Sequence, residues 1–126
     1  MLKTLMMATL FASSVLAAKA DPEETTIIFV NAAETETSAS ADPGLSANGE
    51  SQAAQLVTSL DGMDIASIYT TYSNRAVATV TPLAEKRQQK LEYYRLNDDQ
   101  ELTSTIFKDM IKKNKGKTIV ICGDPE

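Results

Sequence analysis

Thr25-Thr26-Ile27-Ile28-Phe29-Val30 is an uncharged run of β-branched and aromatic residues without helical spacing, the pattern of a strand buried on both faces. A strand covered on both sides calls for a parallel sheet with helices above and below it, which narrows the available folds more than any other feature of the chain. Similar runs return at Ile65 to Thr70, more weakly at Leu91 to Tyr94, and at Thr118 to Cys122. Between them lie three stretches of helical character. Ala53, Leu56, Val57 and Leu60 form an apolar stripe behind a cap at Ser46 or Asn48, with Glu50 at the positive end of the dipole and Asp61-Gly62 as the stop. A second helix starts near Asn74, after the polar turn Thr71-Tyr72-Ser73-Asn74. It buries Val77, Val80, Leu83 and Ala84, and Pro82 either kinks it or marks its last turns. The third is capped by Asn97-Asp98-Asp99 and runs to about Asn114. Leu102, Ile106, Phe107, Met110 and Ile111 lie on one side, Lys112-Lys113 near the negative end, and Gly116 closes it.

Four strands separated by three helices predict an α/β protein, a three-layer α/β/α sandwich around a mainly parallel four-stranded sheet with right-handed crossovers. Such a sheet gathers the carboxyl ends of its strands at one edge, where ligands are bound. The loops at Asn31, Ser73 and Asp124 are therefore expected to converge on one pocket. The first of these loops, Asn31-Ala32-Ala33-Glu34, offers an amide, two methyl groups and one carboxylate, with no nucleophile.

The chain has 126 residues, 43% of them hydrophobic, enough for one core. A net charge of −5 disfavours nucleic acid and anionic membrane surfaces as partners. The sequence contains no histidine, which removes the commonest general base, the commonest metal ligand and every Ser-His or Cys-His pair. Met1-Leu2-Lys3, the uncharged run Thr4 to Leu16 and Ala18-Lys19-Ala20 read as a signal peptide over residues 1–20, cleaved before Asp21. Export to the periplasm or the medium is the expectation, with the functional domain at residues 21–126 and no membrane attachment after cleavage. The apolar run is shorter than the roughly 20 residues a spanning helix needs, and no cysteine follows it to carry a lipid. Loss of Lys3 and Lys19 leaves ten basic residues against 17 acidic, a net charge of −7. Cys122 is the only cysteine, so no internal disulfide is available. Its apolar surroundings point to a buried, inert thiol.

Four segments carry a resemblance in chain order. Val30-Asn31-Ala32-Ala33-Glu34 resembles the first-strand motif of the histidine phosphatase superfamily, the phosphoglycerate mutase-like fold, where the pattern is Arg-His-Gly or Arg-His-Ala-Glu; Asn31 stands at the arginine and Ala32 at the histidine. Asp42-Pro43-Gly44-Leu45-Ser46-Ala47-Asn48-Gly49-Glu50 is similar to the passage leading into that family's first helix. Ile68 to Ala84, which includes Thr71-Tyr72-Ser73-Asn74-Arg75-Ala76-Val77-Ala78-Thr79, is similar to its Ser-x-x-x-Arg-Ala/Thr-x-x-Thr segment, with the phosphate-binding arginine at Arg75. Val120-Ile121-Cys122-Gly123-Asp124 resembles the segment bearing the second catalytic histidine, with Asp124 in its place.

The resemblance implies the fold and argues against the activity. Family members use the first histidine as phosphoryl acceptor, and the second with two arginines to hold the phosphate. Of these four groups only Arg75 is kept. Alanine accepts no phosphoryl group, and loss of a nucleophile costs on the order of a million-fold in turnover. Asp124 could in principle activate a water, but it adds negative charge opposite an incoming phosphate. An inactive pseudophosphatase retaining weak phosphate or anion binding is the expectation. The alternatives are a phosphomonoester phosphatase with displaced catalytic groups and an interaction module. Glu34, Glu36, Asp42, Asp124 and Glu126 lack the spacing of a calcium loop, so no metal and no cofactor are expected. Family chains continue beyond the second histidine, whereas this sequence stops two residues past Asp124. A fold cut short in this way would leave the first strand uncovered along one side, and a homodimer through that open edge is expected.

Overall fold

The computed structural model describes residues 24–37, 42–96 and 104–123. The leader, the Asn97-Asp98-Asp99 cap and Asp124 lie outside these residues. Seven elements alternate along the chain: β1 Thr26–Asn31, α1 Ala47–Ser59, β2 Ser67–Thr70, α2 Asn74–Arg87, β3 Leu91–Tyr93, α3 Ser104–Lys113 and β4 Thr118–Gly123. The strands form one all-parallel sheet in the order β1-β4-β2-β3. The expected α/β/α sandwich is thus present, with the bounds of the strands, of α1 and α2 and of the end of α3 within a few residues of the sequence reading.

β1, β2 and β4 divide their side chains between two cores, as a period of two requires. Ile28, Ile68, Val120 and Cys122 face α1 and α2, where Leu60, Ala76, Val80 and Leu83 meet them. Ile27, Tyr69, Ile119 and Ile121 face α3 and pack with Met110, Ile106, Phe107 and Ile111. Burial of one such aliphatic side chain is worth about 1.5–3 kcal/mol, so the central strand β4, buried from Ile119 to Cys122, anchors the domain. Cys122 is fully buried, and its thiol donates to the Ala76 carbonyl at 3.7 Å.

One expectation needs correction. β1 is not buried on both faces along its length: Ile27 and Ile28 are enclosed, but Phe29 is 40% exposed and Asn31 is exposed. The sheet order explains this, because among the described residues β1 has a neighbour only in β4 and stands at the edge. Phe29 stacks on Phe107 of α3 at a centroid separation of 6.1 Å. Pro82 does not stop α2, which continues to Arg87 and ends with Gln88 in the left-handed region.

Caps fix where the helices start. Ser46 caps α1 by accepting from the Gly49 amide at 3.0 Å, and Ser73 caps α2 by accepting from the Ala76 amide at 3.2 Å. At the opposite end of the sheet, Asn114 is 4% exposed and ties several elements together. Its side chain accepts from Ser67 Oγ and donates to the Tyr69 hydroxyl and the Met110 carbonyl, and its own carbonyl accepts from Thr25 Oγ1.

Candidate functional site

The carboxyl edge of the sheet is where the four resembling segments meet. Asn31 ends β1 opposite Gly123 of β4, and Thr70 ends β2 opposite Cys122, so the carboxyl ends of β1, β4 and β2 stand side by side. The Ala32 amide continues the ladder to the Gly123 carbonyl at 2.9 Å. The methyl group of Ala32 is packed into the α1/α2 core, with the residue only 7% exposed.

Thr79 couples the first loop to α2. Its hydroxyl accepts from the Ala33 amide at 2.8 Å and donates to the Arg75 carbonyl at 2.6 Å. One buried side chain thereby sets the distance between the loop after β1 and the helix turn that carries Arg75. Sequence reasoning gave Thr79 no role; its place as the last residue of the Ser-x-x-x-Arg-Ala-x-x-Thr segment was the available signal.

Glu34 is held from two directions. Its amide donates to Gln52 Oε1 at 2.9 Å, and its carboxylate accepts from Ser46 Oγ at 3.0 Å, while the Ser46 amide donates to its carbonyl. Asp42 was read only as one acid in a loose group. It instead accepts from the Asn74 amide at 2.8 Å through its carboxylate, and from Asn74 Nδ2 through its carbonyl. A carboxylate of the chain itself therefore sits at the positive end of α2, one residue from Arg75. Thr71, buried between β2 and the Ser73 cap, has a hydroxyl with no hydrogen-bond partner among the described residues. Such a group costs about 1–3 kcal/mol of desolvation unless something beyond the described residues satisfies it.

Two cavities bear on the placement of the candidate residues. Asn31 and Ala32 border one of about 370 Å³ between β1 and α1, together with Gln52, Gln55 and Thr79. Glu34, Ser73 and Arg75 are not part of its lining. A cavity of about 900 Å³ lies at the amino edge among Asp61, Asp64, Lys86 and Lys117, far from these loops. Among the described residues no group of acids or Cys122 is arranged to hold a metal ion, and no helix is long and apolar enough to cross a membrane.

The sequence matches the histidine phosphatase superfamily (branch 1) over residues 27–103, more than half of the chain and the whole of the loop, cap and arginine geometry just described. The chain belongs to the histidine phosphatase superfamily. No curated protein matches this superfamily member by sequence. Among solved structures it is similar to phosphoserine phosphatase of Entamoeba histolytica in complex with 3-phosphoglyceric acid, with a TM-score of 0.63 and 18% identity over 80% of this chain and 74% of the other. A histidine-to-alanine mutant of that enzyme in complex with phosphoserine gives 0.60 and 19% over 79% and 74%. SixA of Agrobacterium tumefaciens gives 0.54 and 14% over 78% and 68%. At these identities the likeness is one of fold, the phosphoglycerate mutase-like architecture expected from the sequence.

Proposed function

We propose that this histidine phosphatase superfamily member does not turn over phosphomonoesters and instead holds a phosphorylated or other small anionic ligand weakly at the start of α2. The observation that carries this reading is the absence of any histidine from a chain of this superfamily. In the proposed correspondence the phosphoryl acceptor is replaced by Ala32, whose methyl group is committed to the core, and the first arginine by Asn31. Arg75, in the first turn of α2, is the phosphate-binding group, and Ser73, Glu34 and Asp124 complete the proposed surroundings. The phosphoserine complex of the histidine-to-alanine relative supports the idea that ligand binding outlives the loss of one histidine in this fold. Asp42 accounts for the weakness: an incoming phosphate meets a carboxylate already bonded to the Asn74 amide. The leader-like first twenty residues support export of the protein.

The test combines hydrolysis and titration. A phosphomonoester assay is expected to show no turnover above background, while phosphate or vanadate shifts NMR resonances around Arg75 in the millimolar range and Arg75→Ala abolishes those shifts. Turnover that disappears in Arg75→Ala would overturn the proposal.

A second reading rests on β1 at the sheet edge. Its exposed Phe29 and its outer side, unpaired among the described residues, suit pairing with the same strand of a second copy. Light scattering across a concentration series is expected to show a dimer that Phe29→Lys dissociates. A monomer at every concentration would sink this reading.

A further inference from the structure

We propose that the exposed stack of Tyr93, Tyr72 and Arg95 at the β3 edge of the sheet binds a free aromatic carboxylic acid, its flat ring lying on Tyr93 and its carboxylate held by Arg95. The site is separate from the start of α2 and does not depend on how that region is read. Among the described residues β3 pairs only with β2, so its outer side is open, and Tyr93 ends that pairing opposite Thr70. Tyr72 and Tyr93 belong to neither core and are 56% and 45% exposed. Burial therefore does not explain why two large rings stand here.

Their mutual contact is ordered. The rings stack at a centroid separation of 4.9 Å with an interplanar angle of 22°, and the guanidinium carbon of Arg95 lies 4.8 Å from the Tyr72 centroid. The stack commits one face of Tyr93 to Tyr72. Among the described residues no other ring touches Tyr93, and its exposure leaves the second face to solvent. A bare aromatic face attracts a further flat ring, which a saturated ring of the same size cannot imitate. A guanidinium resting on a ring keeps its N–H groups in its own plane, where they can fork onto a carboxylate. Tyr93 and Arg95 rest on the same ring, so a two-ring acid can cover the first and reach the second. The neighbours hold this arrangement still. Tyr72 sits between β2 and the Ser73 cap of α2, and Arg95 follows Tyr94, whose amide donates to the Thr70 carbonyl at 3.0 Å and whose buried hydroxyl donates to the Cys122 carbonyl at 2.9 Å. The backbone carrying the stack is thus fixed before a ligand arrives, and little freedom is lost on binding.

The test titrates three probes into the purified protein by NMR: naphthoate, the saturated decalin carboxylate, which keeps the charge and loses the flat ring, and naphthamide, which keeps the ring and loses the charge. Naphthoate is expected to bind about tenfold more tightly than decalin carboxylate, the effect of one stacked ring, and about threefold more tightly than naphthamide, the effect of one exposed ion pair. Tyr93→Leu is expected to remove the first preference and Tyr93→Phe, which keeps the ring, to retain it. Arg95→Gln should remove the second preference and leave naphthamide unchanged. Equal affinity for naphthoate and decalin carboxylate, a preference between them that survives Tyr93→Leu, a charge preference that survives Arg95→Gln, or silence toward all three probes overturns the proposal.

Discussion

Gly49→Ala is expected to lower stability by about 3 kcal/mol, with a fall in melting temperature of at least about 10 °C, although in a helix that substitution usually helps. Alanine is favoured over glycine in a helix interior by about 1 kcal/mol. At this position the gain is overwhelmed, because a Cβ on Gly49 would collide with the Glu34 carbonyl oxygen and lie 3.0 Å from its carbon. Neither is the movable tip of a side chain. Relief requires α1 to retreat from the loop after β1, which breaks the Ser46 amide bond to Glu34 and the Ser46 to Glu34 side-chain bond together. Urea unfolding followed by circular dichroism measures the loss. Unchanged or raised stability in Gly49→Ala would show that the loop does not lie against α1 in this way.

Asn114→Ala is expected to cost about 2–4 kcal/mol, since it strands the buried Tyr69 hydroxyl and the half-buried Ser67 hydroxyl and removes the donor to the Met110 carbonyl. Tyr69→Phe, which removes only one partner, should cost about 1 kcal/mol. The two effects should not add: with Asn114 already gone, deleting the Tyr69 hydroxyl removes an unsatisfied group. A thermal-melt double-mutant cycle checks this, and strict additivity would mean that the hydroxyl and the amide do not act as a unit. Asn114→Asp offers a sharper contrast. It keeps the acceptor for Ser67 but loses both donated bonds and buries a charge, so it should be the worst of the set.

The layering of this fold was legible because it is written locally. Apolar runs at Ile27, Ile68 and Val120, the helical spacing of Ala53 and Leu60, and a serine ahead of α1 each report on their own neighbourhood, and the structure agrees with them. The exposure of Phe29 was not legible, because its sequence looks central and only the order β1-β4-β2-β3 makes it peripheral. Tertiary placement likewise decides the bond from Asn74 to Asp42, 32 residues away, and the contact of Tyr72 with Tyr93 and Arg95. Polar and aromatic side chains in loops carry no periodicity from which a partner could be inferred. The resemblance located Arg75 and the loop at Asn31 to Glu34. It did not reveal that Thr79 joins them, since a threonine inside a helical run reads as any other semi-polar filler.

The polar knot at Asn114 closes the end of the sheet where the strands begin, whereas the loops bearing Asn31 and Ala32 leave from the end where they finish. The fold thus keeps its fastening and its chemical face at opposite poles. A lineage can exchange residues at one pole without loosening the other, so a protein of this shape can abandon an old reaction and still be a durable frame on which selection assembles a new grip.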